Sequence, residues 1–317
     1  MNYEKIRQRP KQFLSVTSLK VEEFDYLLSS FSGKWYNFYK VHTIQGKKRK
    51  SPCLKPQKDT KTLPTVSDKL FFILVYYKNG SLQEKLGAVP IAIGIDFTQS
   101  QVSKWLSVLK PVFYDTLKSL NLLPTRQGYK IADILEQLGE KKCFHDVTER
   151  LTNRPKDDET QQEFYSGKKK AHTIKNNVVS TESQYVVYLS PTYTGKTHDK
   201  KIADESEMKF PDNIQLFQDT GFQGYIPQNV HIVQPFKKPK NGELNELQIC
   251  FNKYVGRIRI TSEHAIAGIK RLRIIKNKCR LFCLHKRDQI MEICAGLHNL
   301  RVTSPFRAYK SKIKWSL

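Results

Sequence analysis

Three acidic side chains stand where an acid is costly unless something binds it. Asp146 lies inside the strand-like stretch Phe144-His145-Asp146-Val147, and Asp219 ends another, Phe217-Gln218-Asp219-Thr220-Gly221. Glu263 sits on a helical segment, Arg259-Ile260-Thr261-Ser262-Glu263-His264. A carboxylate at the end of an apolar strand is expensive to desolvate without a cation or a hydrogen-bond donor. Three convergent carboxylates are hard oxygen ligands of the kind Mg2+ takes. Two such ions about 3.5–4 Å apart can activate an attacking hydroxyl and stabilise the leaving oxygen of a phosphodiester. Taken singly, each acid is more simply a cap, a turn residue or a surface ion pair. The set gains weight from the charge around it.

The chain has 317 residues and 54 Lys and Arg against 30 Asp and Glu, a net charge of +24. The excess is uneven: +10 over residues 1–140, +3 over 141–263 and +11 over 264–317. A nearly balanced middle between basic ends suits a polyanion held by the flanks and worked on by the centre, and nucleic acid is the commonest such partner. Surplus lysine for solubility has no reason to avoid the middle.

The length fits about two domains. The 39% hydrophobic and 26% charged composition is that of a globular protein. Apolar runs such as Leu70–Tyr77 fall far short of the roughly 20 residues that span a bilayer, and Met1-Asn2-Tyr3-Glu4-Lys5 opens no secretory leader. A cytoplasmic, nucleoid-associated protein with no membrane partner is expected. Six scattered cysteines without a CxxC pair read as reduced thiols. Cys279, Cys283, His285, Cys294 and His298 have zinc-ligand chemistry, but the apolar periodicity of Ile290–His298 marks a packed helix instead.

The elements that must position the acids follow from periodicity. Thr17–Phe31 reads as a helix and residues 32–64 as irregular. A second helix covers Ser67–Tyr77, with Ser67 as N-cap and Asn79-Gly80 as its stop. Leu82–Ala88 is a short helix, Pro90–Asp96 interrupts, and Thr98-Gln99-Ser100-Gln101 spells a capping box. It opens a helix through Val102, Trp105 and Leu109 that Pro111 bends or restarts. The pair over residues 82–109 suggests a helix-turn-helix. Gln99, Ser100, Gln101 and Ser103 would then reach base edges and Lys104 a phosphate. The connection is longer than the usual 3–4 residues, so a plain helical packing unit is the alternative. After Gly128 come a helix at Lys130–Leu138 and a strand at Cys143–Val147. A hairpin of His172–Ser180 with Gln184–Leu189 and strands at Ile214–Asp219 and Val230–Gln234 follow, and then mostly helix over 243–300. Such alternation indicates an α/β or α+β layer domain.

At these residues the chain resembles the DDE transposases of bacterial insertion sequences related to the PIF/Harbinger group. Asp146-Val147-Thr148-Glu149, Arg154-Pro155 and Tyr165 to Lys175 carry the resemblance. So do Leu189-Ser190-Pro191, Gly195 to Lys200, Asp219 to Tyr225, Asn252, Arg257 to Lys270 and Gly296 to Leu300. The resemblance implies a ribonuclease H-like catalytic core, a mixed sheet flanked by helices, over residues 129–300. An all-helical DNA-binding domain of helix-turn-helix type would precede it over 1–128, with a basic tail at 301–317. It makes Asp146 and Asp219 the two aspartates and Glu263 the glutamate, separated by 73 and 44 residues.

Related transposases carry a Tyr–Arg–Glu–Lys pattern around that glutamate. Arg259, Glu263 and Lys270 match it, while Gly256 takes the place of the tyrosine. Arg259 and Glu263 share a helix face at i, i+4. Lys270, Arg271 and Arg273 would grip backbone phosphate. The resemblance also sets Lys168, Lys169, Lys170, His172 and Lys175 beside the active site, facing DNA, and gives His198 and Asp199 a supporting role.

The implied activity is Mg2+-dependent cleavage and strand transfer. Two ions would bind, with Mn2+ substituting. The implied partners are terminal inverted repeats, target DNA and a second copy in a dimer or larger synaptic complex. A domesticated non-cleaving DNA-binding protein and a stand-alone nuclease of the same fold are the alternatives.

Overall fold

The computed structural model describes residues 3–53, 62–88 and 97–307. They fall into two compact units. One comprises Met1–Leu122 with Arg271–Lys276, the other Leu123–Lys270 with Asn277–Leu317.

The first unit is helical, with α1 (Tyr3–Arg7), α2 (Pro10–Thr17), α3 (Val21–Val41), α4 (Val66–Asn79), α5 (Gln83–Ala88) and α6 (Gln99–Ser119). Thr17, expected to open the first long helix, closes α2 instead, because Ser18 takes a left-handed φ of 73° at its C-cap. The helix expected to end at Phe31 runs on to Val41. Trp35 and Tyr39 continue the buried stripe of Phe24, Leu27 and Phe31 in steps of three and four, so burial overrides the low propensity of Gly33. Thr65, two residues before the expected cap Ser67, caps α4. Its hydroxyl accepts from the Asp68 amide at 3.0 Å while Asp68 accepts the Thr65 amide at 3.1 Å. Gly80, with φ of 58°, stops the helix as expected.

The capping box at Thr98 forms as spelled, and Gln101 Oε1 accepts the Thr98 amide at 2.9 Å. α6 then continues through Pro111 as one helix, with Val112, Phe113 and Leu117 extending the buried face beyond it. α5 packs on α6. The interruption at Pro90–Asp96 lies outside the described residues.

The second unit is built on a mixed sheet. Its strands are β1 (Lys142–Leu151), β2 (Tyr165–Ser166), β3 (Ala171–Thr181), β4 (Val186–Leu189), β5 (Tyr193–Thr194), β6 (Ile214–Gln218) and β7 (Val230–Val233). The order is β2-β3-β1-β6-β7, with β4 and β5 also on β3. β1 is antiparallel to β3 and parallel to β6, which is parallel to β7. β1 outruns its expected end at Val147 by four residues, since Thr148 and Arg150 remain buried.

Helices α7 (Ile131–Leu138), α8 (Asp158–Phe164), α9 (Asp199–Glu205) and α10 (Glu246–Lys270) flank this sheet. After α10 the chain contributes α11 (Arg273–Lys276) to the helical unit and returns as α12 (Leu284–Val302). The hydrophobic core on one sheet face joins Ile131 and Leu135 of α7 to Cys143, Val179, Val187, Ala203 and Leu216. Cys294 and His298 lie in the packed helix α12, as the periodicity indicates, and His298 Nε2 bonds the Gln184 carbonyl at 2.8 Å. This curled α/β arrangement is compatible with a ribonuclease H-like core.

Candidate active site

The register of two parallel strands brings the aspartates together. β1 pairs with β6 from Lys142 opposite Gln215 to His145 opposite Gln218. Asp146 and Asp219 are the next residue on each strand, just past the last ladder pair, so both carboxylates emerge where β6 ends. Asp219 turns the chain into a short 3-10 turn at Thr220–Phe222, and its Oδ1 accepts the Thr220 amide at 2.8 Å. Asp146 Oδ1 accepts the Val147 amide at 2.8 Å.

Helix α10 crosses this edge and supplies the other groups. Arg259 Nη1 lies 3.1 Å from Asp219 Oδ1, and the Ser262 hydroxyl donates to Asp146 Oδ2 at 3.3 Å. Lys270 Nζ donates to the Glu149 carbonyl on β1 at 3.1 Å. Residues 259, 262 and 270 therefore define the face of α10 turned to the acids. Glu263 is exposed, one residue beyond the buried Ser262. Among the described residues no group of three His, Cys, Asp or Glu side chains is close enough to hold a metal, so Glu263 is not gathered with the two aspartates here.

Burial pushes the Asp146 carboxyl above the usual carboxylate range, and the nearby Asp219 adds to the rise. The Val147 amide, Arg259 and Ser262 oppose it. Two adjacent carboxylates, one of them largely buried, offer the oxygen donors that a divalent cation takes. The donor set thus fits such an ion through Asp146 and Asp219. Burial lowers the Lys270 ammonium below its ordinary value, helped by Arg150 and Lys169. Several cations thus crowd the acids' flank.

The other expected residues fall in three places. Lys168, Lys169 and Lys170 are exposed in the turn that joins β2 to β3, and His172 follows on β3. Lys175 is directed elsewhere. Its ammonium donates to Asp199 Oδ1 at 3.1 Å and to the Thr197 carbonyl at 3.0 Å, tying down the start of α9, which His198 precedes as N-cap. Asp199 in turn abuts the loop that carries Asp219, since a Cβ on Gly221 would meet its Oδ2 at 3.0 Å. Arg271 and Arg273 fall in the helical unit. At the start of α6, Gln99, Ser100, Ser103 and Lys104 are exposed, while Gln101 is engaged in the capping box.

Two contributions escape a reading of the sequence. Ser262 is one of many serines, and only its place in the buried 255-262-269 stripe of α10 marks it. His145, Gln218 and Gln234 form a polar row across β1, β6 and the end of β7. Gln218 Nε2 lies 3.2 Å from His145 Nδ1, and Gln234 Nε2 donates to Gln218 Oε1 at 2.9 Å. Gln234 also donates to the Asp219 carbonyl at 3.3 Å, which fixes the strand end under that acid. Burial pushes the His145 imidazole down to about 3, so it is neutral in this row.

Residues 145–299 match the family model of the DDE superfamily endonucleases, a span that takes in both aspartates and Glu263. A probable transposase for insertion sequence element IS702 from Microchaete diplosiphon is 25% identical over 305 residues, covering 94% of this chain and 98% of its own. No solved structure matches. Residues 145–299 are thus similar to the DDE superfamily endonucleases, in a chain similar over nearly its whole length to an insertion-sequence transposase.

Proposed function

We propose that the chain is a DNA transposase that binds the terminal inverted repeats of its own element and catalyses strand cleavage and strand transfer. The observation that carries this reading is the in-register pair Asp146 and Asp219, with Arg259 on one acid and Ser262 on the other. Asp146 and Asp219 would hold divalent cations, two Mg2+ ions or Mn2+ in their place, and Glu263, one turn along α10 from Arg259, would complete the set. Bound there, the ions supply Lewis-acid polarisation of the phosphodiester and lower the cost of ionising the attacking hydroxyl.

The chain's own groups do the rest. Arg259 orients Asp219 and offers its guanidinium to a phosphate oxygen. Lys270, with Lys169 nearby, places positive charge where the scissile strand must pass. The polar row behind Asp219 keeps that carboxylate at the strand end. In the first step water attacks the phosphorus at the element end and frees a 3′-hydroxyl. In the second, that hydroxyl attacks a target phosphodiester in line and displaces its 3′ oxygen.

DNA is held, on this reading, by Lys168, Lys169, Lys170 and His172 around the sheet unit. Gln99, Ser100, Ser103 and Lys104 contact it in the helical unit, where α5 and α6 act as a helix-turn-helix. Arg271 and Arg273 add phosphate contacts. Two ends must be joined, so the working form is a dimer or larger synaptic complex, resident on the nucleoid. No helix among the described residues is long and apolar enough to cross a membrane.

The test is incubation with linear DNA carrying the flanks of the gene's own locus, with Mg2+ or with chelator. Mg2+-dependent nicks at the repeat ends plus joined products support the proposal. Nicks without joined products would leave a nuclease, and binding without nicks a DNA reader.

A further inference from the structure

Away from the acids, the sheet unit holds a cavity of about 560 Å3 lined by Arg154, Gln161, Gln162, Tyr165, His172 and Lys196. That volume lies within the 300–1,000 Å3 range of small-molecule sites. Two rings stand on its wall: Tyr165, 45% exposed, and His172, with centroids 5.9 Å apart and planes 72° to each other. Two cations, Arg154 and Lys196, are exposed beside them, and no carboxylate is among the lining residues. The walls are fixed. Arg154 Nε donates to Gln161 Oε1 at 2.8 Å, which uses one edge of the guanidinium and leaves its other nitrogens for a ligand. The Lys196 amide donates to the Glu163 carbonyl at 3.0 Å. Next to it, Gly195 sits so close to Thr173 and the Phe164 carbonyl that no side chain fits there.

Aromatic faces, amide side chains and paired cations are the recognition chemistry of a nucleotide. The rings stack on a base, the glutamines read its edge and the cations hold its phosphate. Position along the sheet says which nucleotide. Asp146 is paired with Val178 on β3, and His172 lies six residues further along the same strand. At about 3.3–3.4 Å per residue this is roughly 20 Å. DNA rises about 3.4 Å per nucleotide along each strand, so a strand running alongside β3 would reach the cavity about six steps from the acids.

We propose that this cavity captures one unstacked nucleotide of the bound DNA strand, about six steps from the scissile phosphate. The proposal rests on the DNA reading above and adds a site to it. Pulling one nucleotide out of the duplex fixes where along the strand the scissile phosphate comes to rest.

The experiment uses the full chain with chelator present, so that no strand is cut. Fluorescence anisotropy follows its binding to a set of element-end duplexes, each carrying one mismatch at successive positions from the terminus. A mismatch lowers the cost of unstacking. Wild type should therefore bind one or two adjacent mismatch positions, about six steps in, about tenfold more tightly than the matched duplex. Tyr165→Ala should abolish that position-specific gain and keep the affinity for matched DNA within about threefold. Tyr165→Phe, which retains the ring, should keep the gain.

Equal affinity across the set, or a gain that survives in Tyr165→Ala, would overturn the proposal. A site for free nucleotides would give saturable binding of deoxyadenosine monophosphate alone, lost in Tyr165→Ala, with a flat mismatch set, and that also overturns it. A flat set with salt-sensitive duplex binding leaves the DNA reading standing. Absence of duplex binding removes both.

Discussion

Arg259 holds Asp219: the guanidinium Nη1 lies 3.1 Å from Oδ1 across the gap between α10 and the end of β6. The arginine is 17% exposed and the aspartate 39%, so the pair is half open to water and adds little to stability. Its value lies in placement, because it pins the acid while leaving it reachable. Arg259→Gln should therefore reduce single-turnover cleavage of end DNA by about a hundred- to a thousandfold, the scale of removing one positioned donor. The melting temperature should change by less than a couple of degrees. A large stability loss with normal cleavage would show the pair to be structural.

The raised Asp146 carboxyl gives a pH dependence with a definite sign. Burial disfavours its charged form in the folded chain. Between the unfolded value of about 3.9 and the raised folded one, the native state binds more protons than the unfolded state. Stability is lost as pH rises through that window, and the penalty remains in full at neutral pH. Asp146→Asn, neutral throughout, should melt higher than wild type at pH 7 in chelator, with the difference shrinking as pH falls below the carboxylate range. Added Mn2+ should raise the wild-type melting temperature and leave Asp146→Asn nearly unmoved. Thermal melts from pH 3 to pH 8 check both.

Helix α10 can carry this site only because it packs closely on α12. A Cβ built on Gly268 would stand 2.3 Å from His298 Nδ1, and the His298 ring is held by its bond to Gln184. Gly268→Ala should cost about 1–3 kcal/mol in spite of its better helix propensity, the usual toll of overpacking. Urea denaturation measures it. An unchanged or increased stability would mean that the ring can move aside.

The three exposed lysines of the β2–β3 turn should act as phosphate contacts and not as readers of sequence. Replacing Lys168, Lys169 and Lys170 together by alanine should flatten the slope of log affinity against log salt by about 2–3. Binding to end DNA and to unrelated DNA should weaken alike. Loss confined to end DNA would assign them to recognition.

Much of this was legible in the sequence, and the failures have physical reasons. The aspartates are visible because an acid closing an apolar strand is conspicuous, and the identical spacing of His145–Gln218 and Asp146–Asp219 becomes a shared strand register. The caps at Thr98 and Gly80 are local chemistry, readable in a few residues. The extension of α3 to Val41 was hidden because Gly33 and the polar residues around it dilute the pattern, while the burial of Trp35 and Tyr39 is a tertiary fact. Lys175 looked like part of a basic run. Strand alternation sends it to Asp199 instead, a direction that composition cannot supply. The exposure of Glu263 beside the buried Ser262 depends on how α10 is rotated about its axis, which spacing fixes only to within a residue.

On the proposed function, Asp219 serves chemistry and not DNA binding. The most direct measurement compares wild type with Asp219→Ala on the same labelled end DNA in Mg2+, recording affinity and cleavage side by side. Affinities should agree within about threefold, with cleavage reduced by at least a thousandfold in the variant. Cleavage that persists in Asp219→Ala, or binding and cleavage that fall together in a folded variant, would contradict it.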